Sequence, residues 1–280
     1  MIIRIRKRLL CAILCVLLAA AALAAASEPK EGGVRLPVIM YHHISVKASA
    51  LGKYVVSPDQ FRRDLEYIAA RGYTAVSAQQ LLDFAEKGKA LPDKPILITF
   101  DDGYESFYTY AYPILKELKM HAVLSIIGKY TDLYSTSDDH NVNYAHVTWD
   151  EVKQMSESGL VDIGHHTYDL HSLSPRRGCR IKKGESDSDY RKMLTADLTG
   201  LQKKIKQATG SESPIFAYPF GSYCTQGCEC VRQLGFKITL GCEERVNTIY
   251  PSDGDSLYML NRFNRASGKS SEAFFAEISE

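Results

Sequence analysis

The sequence predicts an α/β chain built as a (β/α) barrel or a close relative of one, with a doubly wound open sheet as the competing topology. Three observations predict it. From Leu36 onward, short β-rich runs alternate with longer amphipathic stretches. Several of the runs are continuously apolar, as parallel strands covered on both faces are. The stretches between them begin and end on capping residues. The candidate strands are residues 37–41 (PVIMY), 73–76 (YTAV), 96–100 (ILITF), 122–127 (AVLSII), 161–164 (VDIG), 215–218 (IFAY) and 237–240 (KITL).

The helices are marked at their ends. Ser57 as N-cap, Pro58 at N1, Gln60 at N3 and Gly72 past the end delimit the first one. Phe61, Leu65, Ile68 and Ala69 recur at helical spacing and form its core face. Ser77 with Gln80, and Thr148 with Glu151, repeat the capping box ahead of LLDFAEKG and EVKQMSESG, and Gly159 closes the latter. A long helix is expected over residues 190–208, after a polar, charged surface loop at 174–189.

The first thirty residues differ from the rest. Arg4, Arg6, Lys7 and Arg8 precede Leu9 to Ala26, a run with no charged residue that ends in small side chains. That is the build of a secretory signal over residues 1–26. An uncleaved anchor is the alternative, because about 18 apolar residues just span a bilayer. A short linker, 27–35, then leads into a single domain, 36–280, large enough for a substantial core. The expected location is secreted or at the extracytoplasmic cell surface, with membrane contact only through the N-terminal segment. Setting those four basic residues against the totals, 34 Lys+Arg less 4 against 33 Asp+Glu, leaves a net charge of −3, which recommends no nucleic-acid partner. Cys179, Cys224, Cys228, Cys230 and Cys242 remain after the leader. Export permits disulfides, but connectivity is not readable from sequence, and C-x3-C-x-C is not a usual zinc spacing. Oligomeric state has no signature here.

Four polar clusters follow predicted strands: His42-His43 after VIMY, Asp101-Asp102-Gly103 after ILITF, HHTYDLH (165–171) after VDIG, and Pro219-Phe220-Gly221 after IFAY. In barrels and open α/β sheets the C-terminal strand ends form the rim where active sites assemble. His166 and His171, five apart, cannot share a helical face, so a common ligand requires a loop. One Asp and two His make the three-ligand set of a catalytic divalent-metal site, with a position left open, and this donor set suits zinc. A second carboxylate beside the first is free to act as a base. His43 is expected on the opposite side of the strand from His42 if the strand persists that far.

ILITFDDGYES, IGHHTYDLH, FAYPFGSY and the leading PVIMYHHIS together resemble the polysaccharide deacetylase family, the NodB homology domain, from residue 36 onward. The early Tyr-His and the H-T-x-x-L-H form are most similar to the branch that de-N-acetylates poly-β-1,6-N-acetylglucosamine in biofilms. The resemblance implies a distorted (β/α)7 barrel and metal-dependent removal of N-acetyl groups from a GlcNAc-containing polysaccharide, in cell wall or biofilm, with release of acetate. It implies Asp102, His166 and His171 as metal ligands, Asp101 as base, His42 as general acid, and an oxyanion contact at the backbone near Phe220 beside Pro219. The implied ion is Zn2+, with Co2+, Ni2+ or Fe2+ as alternatives, and the implied partner is a carbohydrate polymer.

Two positions depart from the family pattern: Ala217 stands where an arginine commonly braces the base, and LNR (260–262) stands where a late histidine is usual. Arg262 is a candidate for the bracing role. Tyr104, Tyr168 and Tyr223 flank the motifs and are candidates for lining a sugar groove, whereas Trp149 is read as core. An O-acetyl esterase acting on xylan or wall glycan, and a catalytically degenerate glycan-binding protein, are the competing functions.

Overall fold

A computed structural model describes residues 31–137 and 139–279. The leader expected over 1–26 lies outside the described residues. Among those described, no helix is long and apolar enough to cross a membrane.

The central sheet runs, edge to edge, Ile238–Leu240, Ile215–Ala217, Val161–His165, Ala122–Ile126, Pro95–Phe100, Val38–Tyr41 and Phe263–Asn264, with Thr74–Ala75 also paired to Pro95–Phe100. Every pairing within it is parallel. Strands 38–41, 95–100 and 122–126 are buried along their whole length, which explains why they read as unbroken apolar runs. Between the two edges, Leu240 makes a parallel bridge to Leu260, three residues before the Phe263–Asn264 strand. The sheet is therefore curled rather than open, as a distorted barrel requires, and the doubly wound alternative falls.

All seven predicted strands form, and so do the capped helices. Ser57 Oγ accepts from the Gln60 amide at 3.0 Å to start helix Pro58–Ala70. Ser77 and Thr148 make full capping boxes at helices Ala78–Lys87 and Trp149–Glu157; such caps contribute about 1 kcal/mol each. Helix Pro58–Ala70 buries Phe61, Leu65 and Ile68, at roughly 1.5–3 kcal/mol per side chain, whereas Ala69, expected on the same face, is exposed.

Three local expectations need correction. The long helix runs from Asp187 to Thr209, because Ser186 caps it by accepting from the Asp189 amide at 3.1 Å and Asp187 and Asp189 oppose the helix dipole; the acidic stretch reads as loop but is a first turn. Within the polar 174–189 segment, Cys179 is fully buried and its carbonyl accepts from the Tyr190 hydroxyl. The expected linker already ends in a strand, since Val34–Leu36 pairs antiparallel with Asn247–Ile249. Cys179, Cys224, Cys228, Cys230 and Cys242 are all free thiols. Trp149 is half-buried against the core, with its indole N–H donating to Asp132 Oδ1 at 2.8 Å.

Candidate active site

Strand ends bring the clusters together. Asp101 and Asp102 leave strand Pro95–Phe100, His166 follows strand Val161–His165, Phe220 follows strand Ile215–Ala217, and His42 follows strand Val38–Tyr41. All five, with His171, line one cleft of about 810 Å3, a usual size for a small-molecule site.

The loops that carry them are strained. Asp102 (φ 71°), Thr167 (φ 72°) and Phe220 (φ 58°) all take the left-handed conformation, one in each of three site loops. For a β-branched threonine this is a genuine outlier. Such residues cost about 1–3 kcal/mol each and gather at functional sites. Asp197 holds the histidine loop in place by accepting from the Tyr168 and Asp169 amides at 2.8 Å each. Gly103 is required by space as well as by its φ of +76°, because a Cβ there would stand 3.2 Å from the Ile126 Cα.

The three histidines of HHTYDLH have separate surroundings. His165 is buried away from the cleft: its Nδ1 accepts from the Thr167 amide and its Nε2–H donates to the Leu198 carbonyl at 3.0 Å. His166 donates through Nδ1 to the Ala217 carbonyl at 2.8 Å, which leaves the Nε2 lone pair turned to Asp102. His171 presents Nε2 to the same carboxylate and stacks its ring on Phe220 at 4.3 Å. From Asp102 Oδ1 the two Nε2 atoms lie 3.6 and 3.3 Å away. Burial pushes the His166 imidazole down to about 3 and lowers that of His171, so both are neutral.

Asp102 Oδ1 is buried and has no hydrogen-bond partner. Burial pushes the Asp102 carboxyl up to about 6, with Asp101 adding to the rise. An orphaned carboxylate oxygen facing two imidazole lone pairs is an arrangement of acceptors without a donor, and it is satisfied by a cation in their midst. The residues present therefore fit a divalent metal ion, and ligand atoms of Asp102, His166 and His171 all lie within 4.8 Å of one another.

Asp101 has a different partner. Arg262, fully buried, grips it bidentately, with Nη1 to Oδ1 at 2.8 Å and Nη2 to Oδ2 at 2.7 Å. The guanidinium is itself oriented by the Gly241 carbonyl, 2.7 Å from Nε. Burial alone would raise the Asp101 carboxyl, but Arg262 holds it well below the ordinary carboxylate range. His42 packs its ring on Tyr54 at 4.8 Å, and its buried Nδ1 lacks a partner. Burial lowers its pKa, against the pull of Asp101 and Asp102.

In the Pro219–Gly221 turn, the Gly221 and Ser222 amides bond to the Tyr218 and Pro219 carbonyls. Pro219 is buried under the turn rather than lining the cleft.

Two sequence-predicted groove residues lie elsewhere. Tyr168 donates its hydroxyl to Asp132 at 2.8 Å, outside the cleft, because the turn at Thr167 redirects the chain. Tyr223 borders the neighbouring hollow with Gly241 and Met259. Tyr104 does line the cleft, packed edge-on against His43 at 4.8 Å. His43 was expected on the opposite side from His42, yet both line the cleft, because strand Val38–Tyr41 ends before His42 and His43 begins a new pairing with Val55. Ser106 Oγ accepts from the Ile44 amide and shares a 3.0 Å hydrogen bond with His43 Nδ1, which fixes the ring with Nε2 as its remaining polar atom. Tyr54, Asn143, Arg177, Cys242 and Glu244 also line the cleft. None of these belongs to a sequence motif; the His42-His43 doublet was the one signal pointing to His43.

The sequence model of the polysaccharide deacetylase family matches residues 88–239. The chain is 27% identical over 220 residues to a poly-β-1,6-N-acetyl-D-glucosamine N-deacetylase of Escherichia coli (strain K12), covering 71% of this chain and 32% of the relative. It is 28% identical over 202 residues to the enzyme of the same name from Staphylococcus aureus (strain MSSA476), covering 72% of this chain and 65% of the relative. The chain thus spans about a third of the first relative and just under two thirds of the second. Among solved structures, a de-N-acetylase from Aggregatibacter actinomycetemcomitans superposes with a TM-score of 0.72 at 26% identity, covering 88% of this chain and 99% of that one.

Proposed function

Because the chain belongs to the polysaccharide deacetylase family, we propose that it is an exported, metal-dependent hydrolase that removes N-acetyl groups from a GlcNAc-containing polymer and releases acetate. The observation that carries this reading is the pairing of two unlike aspartates in one cleft: Asp102 with an orphaned oxygen between two imidazoles, and Asp101 held ionised by Arg262. The names of the relatives from E. coli and S. aureus support poly-β-1,6-N-acetylglucosamine as the substrate. The charge-free run from Leu9 to Ala26 supports export.

In this reading Asp102, His166 and His171 hold the ion, Zn2+ being the best match to one carboxylate and two imidazoles. When bound, the ion supplies Lewis acidity toward the acetyl carbonyl and toward water. Asp101 accepts the proton of the attacking water, and the Arg262 fork keeps both of its oxygens oriented and ionised. The backbone N–H near Phe220 donates a hydrogen bond to the negative charge that develops on the carbonyl oxygen. His42 delivers a proton to the departing amine nitrogen, which leaves poorly without one. Proton counts balance when His42 enters protonated: one proton passes from water to Asp101, one from His42 to the amine, and loss of the Asp101 proton to solvent with uptake of one by His42 restores the starting state. Tyr104, and the His43 ring beside it, contact the sugar.

The test is acetate release from acetylated poly-β-1,6-N-acetylglucosamine, before and after chelator treatment and on reloading with zinc. Release that stops with chelator and returns with zinc is expected. Glycan binding without any acetate release from the zinc-loaded protein would overturn the reading.

A further inference from the structure

A second set of ligand-type side chains begins three residues beyond Asp102. Glu105, His140 and Glu151 each bring one ligand atom to within 4.8 Å of the others. His140 Nδ1 lies 3.9 Å from Glu105 Oε1 and 3.6 Å from Glu151 Oε1, close to the 3.6 and 3.3 Å of the first cluster. Donors placed tetrahedrally around an ion at about 2.0–2.2 Å stand roughly 3.3–3.6 Å apart, so a small contraction closes the site.

The separate observation that points to a ligand is Glu105 itself. It is only 3% exposed, and its Oε2 is buried without a hydrogen-bond partner. Its Oε1 accepts from the Thr109 hydroxyl at 3.3 Å, and its carboxyl stands against that of Glu151. Glu151 uses Oε2 to accept from the Thr148 amide and hydroxyl, which leaves Oε1 turned to His140. Among the described residues, the ion pairs that reach either carboxylate come from His140 alone. Burial, reinforced by Glu151, pushes the Glu105 carboxyl up to about 8. Two adjacent carboxylates, one of them desolvated, require either a shared proton or a cation.

We propose that Glu105, His140 and Glu151 form a second divalent-cation site, distinct from the Asp102 cluster, that ties the 101–105 turn to the 140–151 segment. Two carboxylates and one imidazole match a borderline ion, zinc or manganese, and neutralise its charge. Exposed His140 provides the route of entry. The segments it joins are already stitched by the Glu105 amide to the Ala145 carbonyl at 2.8 Å and the Val147 amide to the Gly103 carbonyl at 2.9 Å. Asn143, between them, lines the cleft. The ion would therefore stiffen one wall of that cleft, whichever chemistry the first cluster performs.

The experiment is elemental analysis and calorimetric zinc titration of the chelator-stripped full chain, with manganese in parallel. The wild type is expected to hold two zinc ions per chain. The Asp102→Asn/His171→Ala double variant should keep one, and that one should raise its melting temperature. His140→Ala, at an exposed position that folding tolerates, should also keep one. Zinc loading of one in the wild type and none in the double variant overturns the proposal, leaving a shared proton between Glu105 and Glu151. So does a second ion that persists in both His140→Ala and Glu105→Gln.

Discussion

Arg262 and Arg265 flank the short strand Phe263–Asn264, and each grips a buried aspartate with two nitrogens, yet the two carboxylates live in different surroundings. Asp64 is saturated: besides Arg265 it accepts from the Tyr41 hydroxyl at 2.9 Å, Gln60 Nε2 at 2.9 Å and the Ser271 hydroxyl at 2.7 Å. It thereby joins helix Pro58–Ala70, strand Val38–Tyr41 and the start of the C-terminal helix. Asp101 has Arg262 as its side-chain hydrogen-bond partner and otherwise faces the cleft. The same ion-pair chemistry thus holds the fold together at one site and keeps a carboxylate open at the other. What differs is how many donors the neighbours supply.

Substitutions that separate these two roles should differ in what they damage. Asp101→Asn is expected to lower acetate release by about 10²–10⁴-fold while zinc content stays near wild type; an active Asn variant would break the contrast at its functional end. Arg265→Met should leave Asp64 buried and uncompensated and lower unfolding free energy by about 3–5 kcal/mol, read by urea titration, whereas wild-type stability would break it at the structural end. Arg262→Lys keeps the charge but not the fork. Turnover is expected to fall roughly 10–100-fold with a stability loss of about 1–3 kcal/mol, and a loss of stability without any loss of turnover would mean that Arg262 resembles Arg265 after all. Ser77→Ala, at a helix cap remote from both pairs, sets the baseline: about 1 kcal/mol of stability with unchanged turnover.

Much of the scaffold was legible because it rests on local chemistry. Ser57, Ser77 and Thr148 announce their helices through hydrogen bonds made within three residues. Buried parallel strands such as Pro95–Phe100 are apolar throughout because both faces are covered. The pairs His43–Ile44 with Val55–Val56, and Phe263–Asn264 with Val38–Tyr41, escaped notice because two residues carry no periodicity. The start of the long helix was missed because Asp187 and Asp189 suit a loop and a first turn equally. Tyr168 and Tyr223 stand near the motifs in sequence, yet the Tyr168 hydroxyl is engaged by Asp132 and Tyr223 borders the hollow next to the cleft.

The sequence by itself determined the alternation of strands and helices and the placement of Asp101, Asp102, His166 and His171 at strand ends, because pattern and capping act over a few residues. Only the tertiary structure decided that Arg262, more than 150 residues from Asp101, clasps it with two nitrogens. It also decided that His43 shares the cleft with His42, and that Asp102 keeps an oxygen without a partner. Those outcomes depend on how a curled sheet brings distant strand ends to one rim, and no local pattern in the chain encodes that distance.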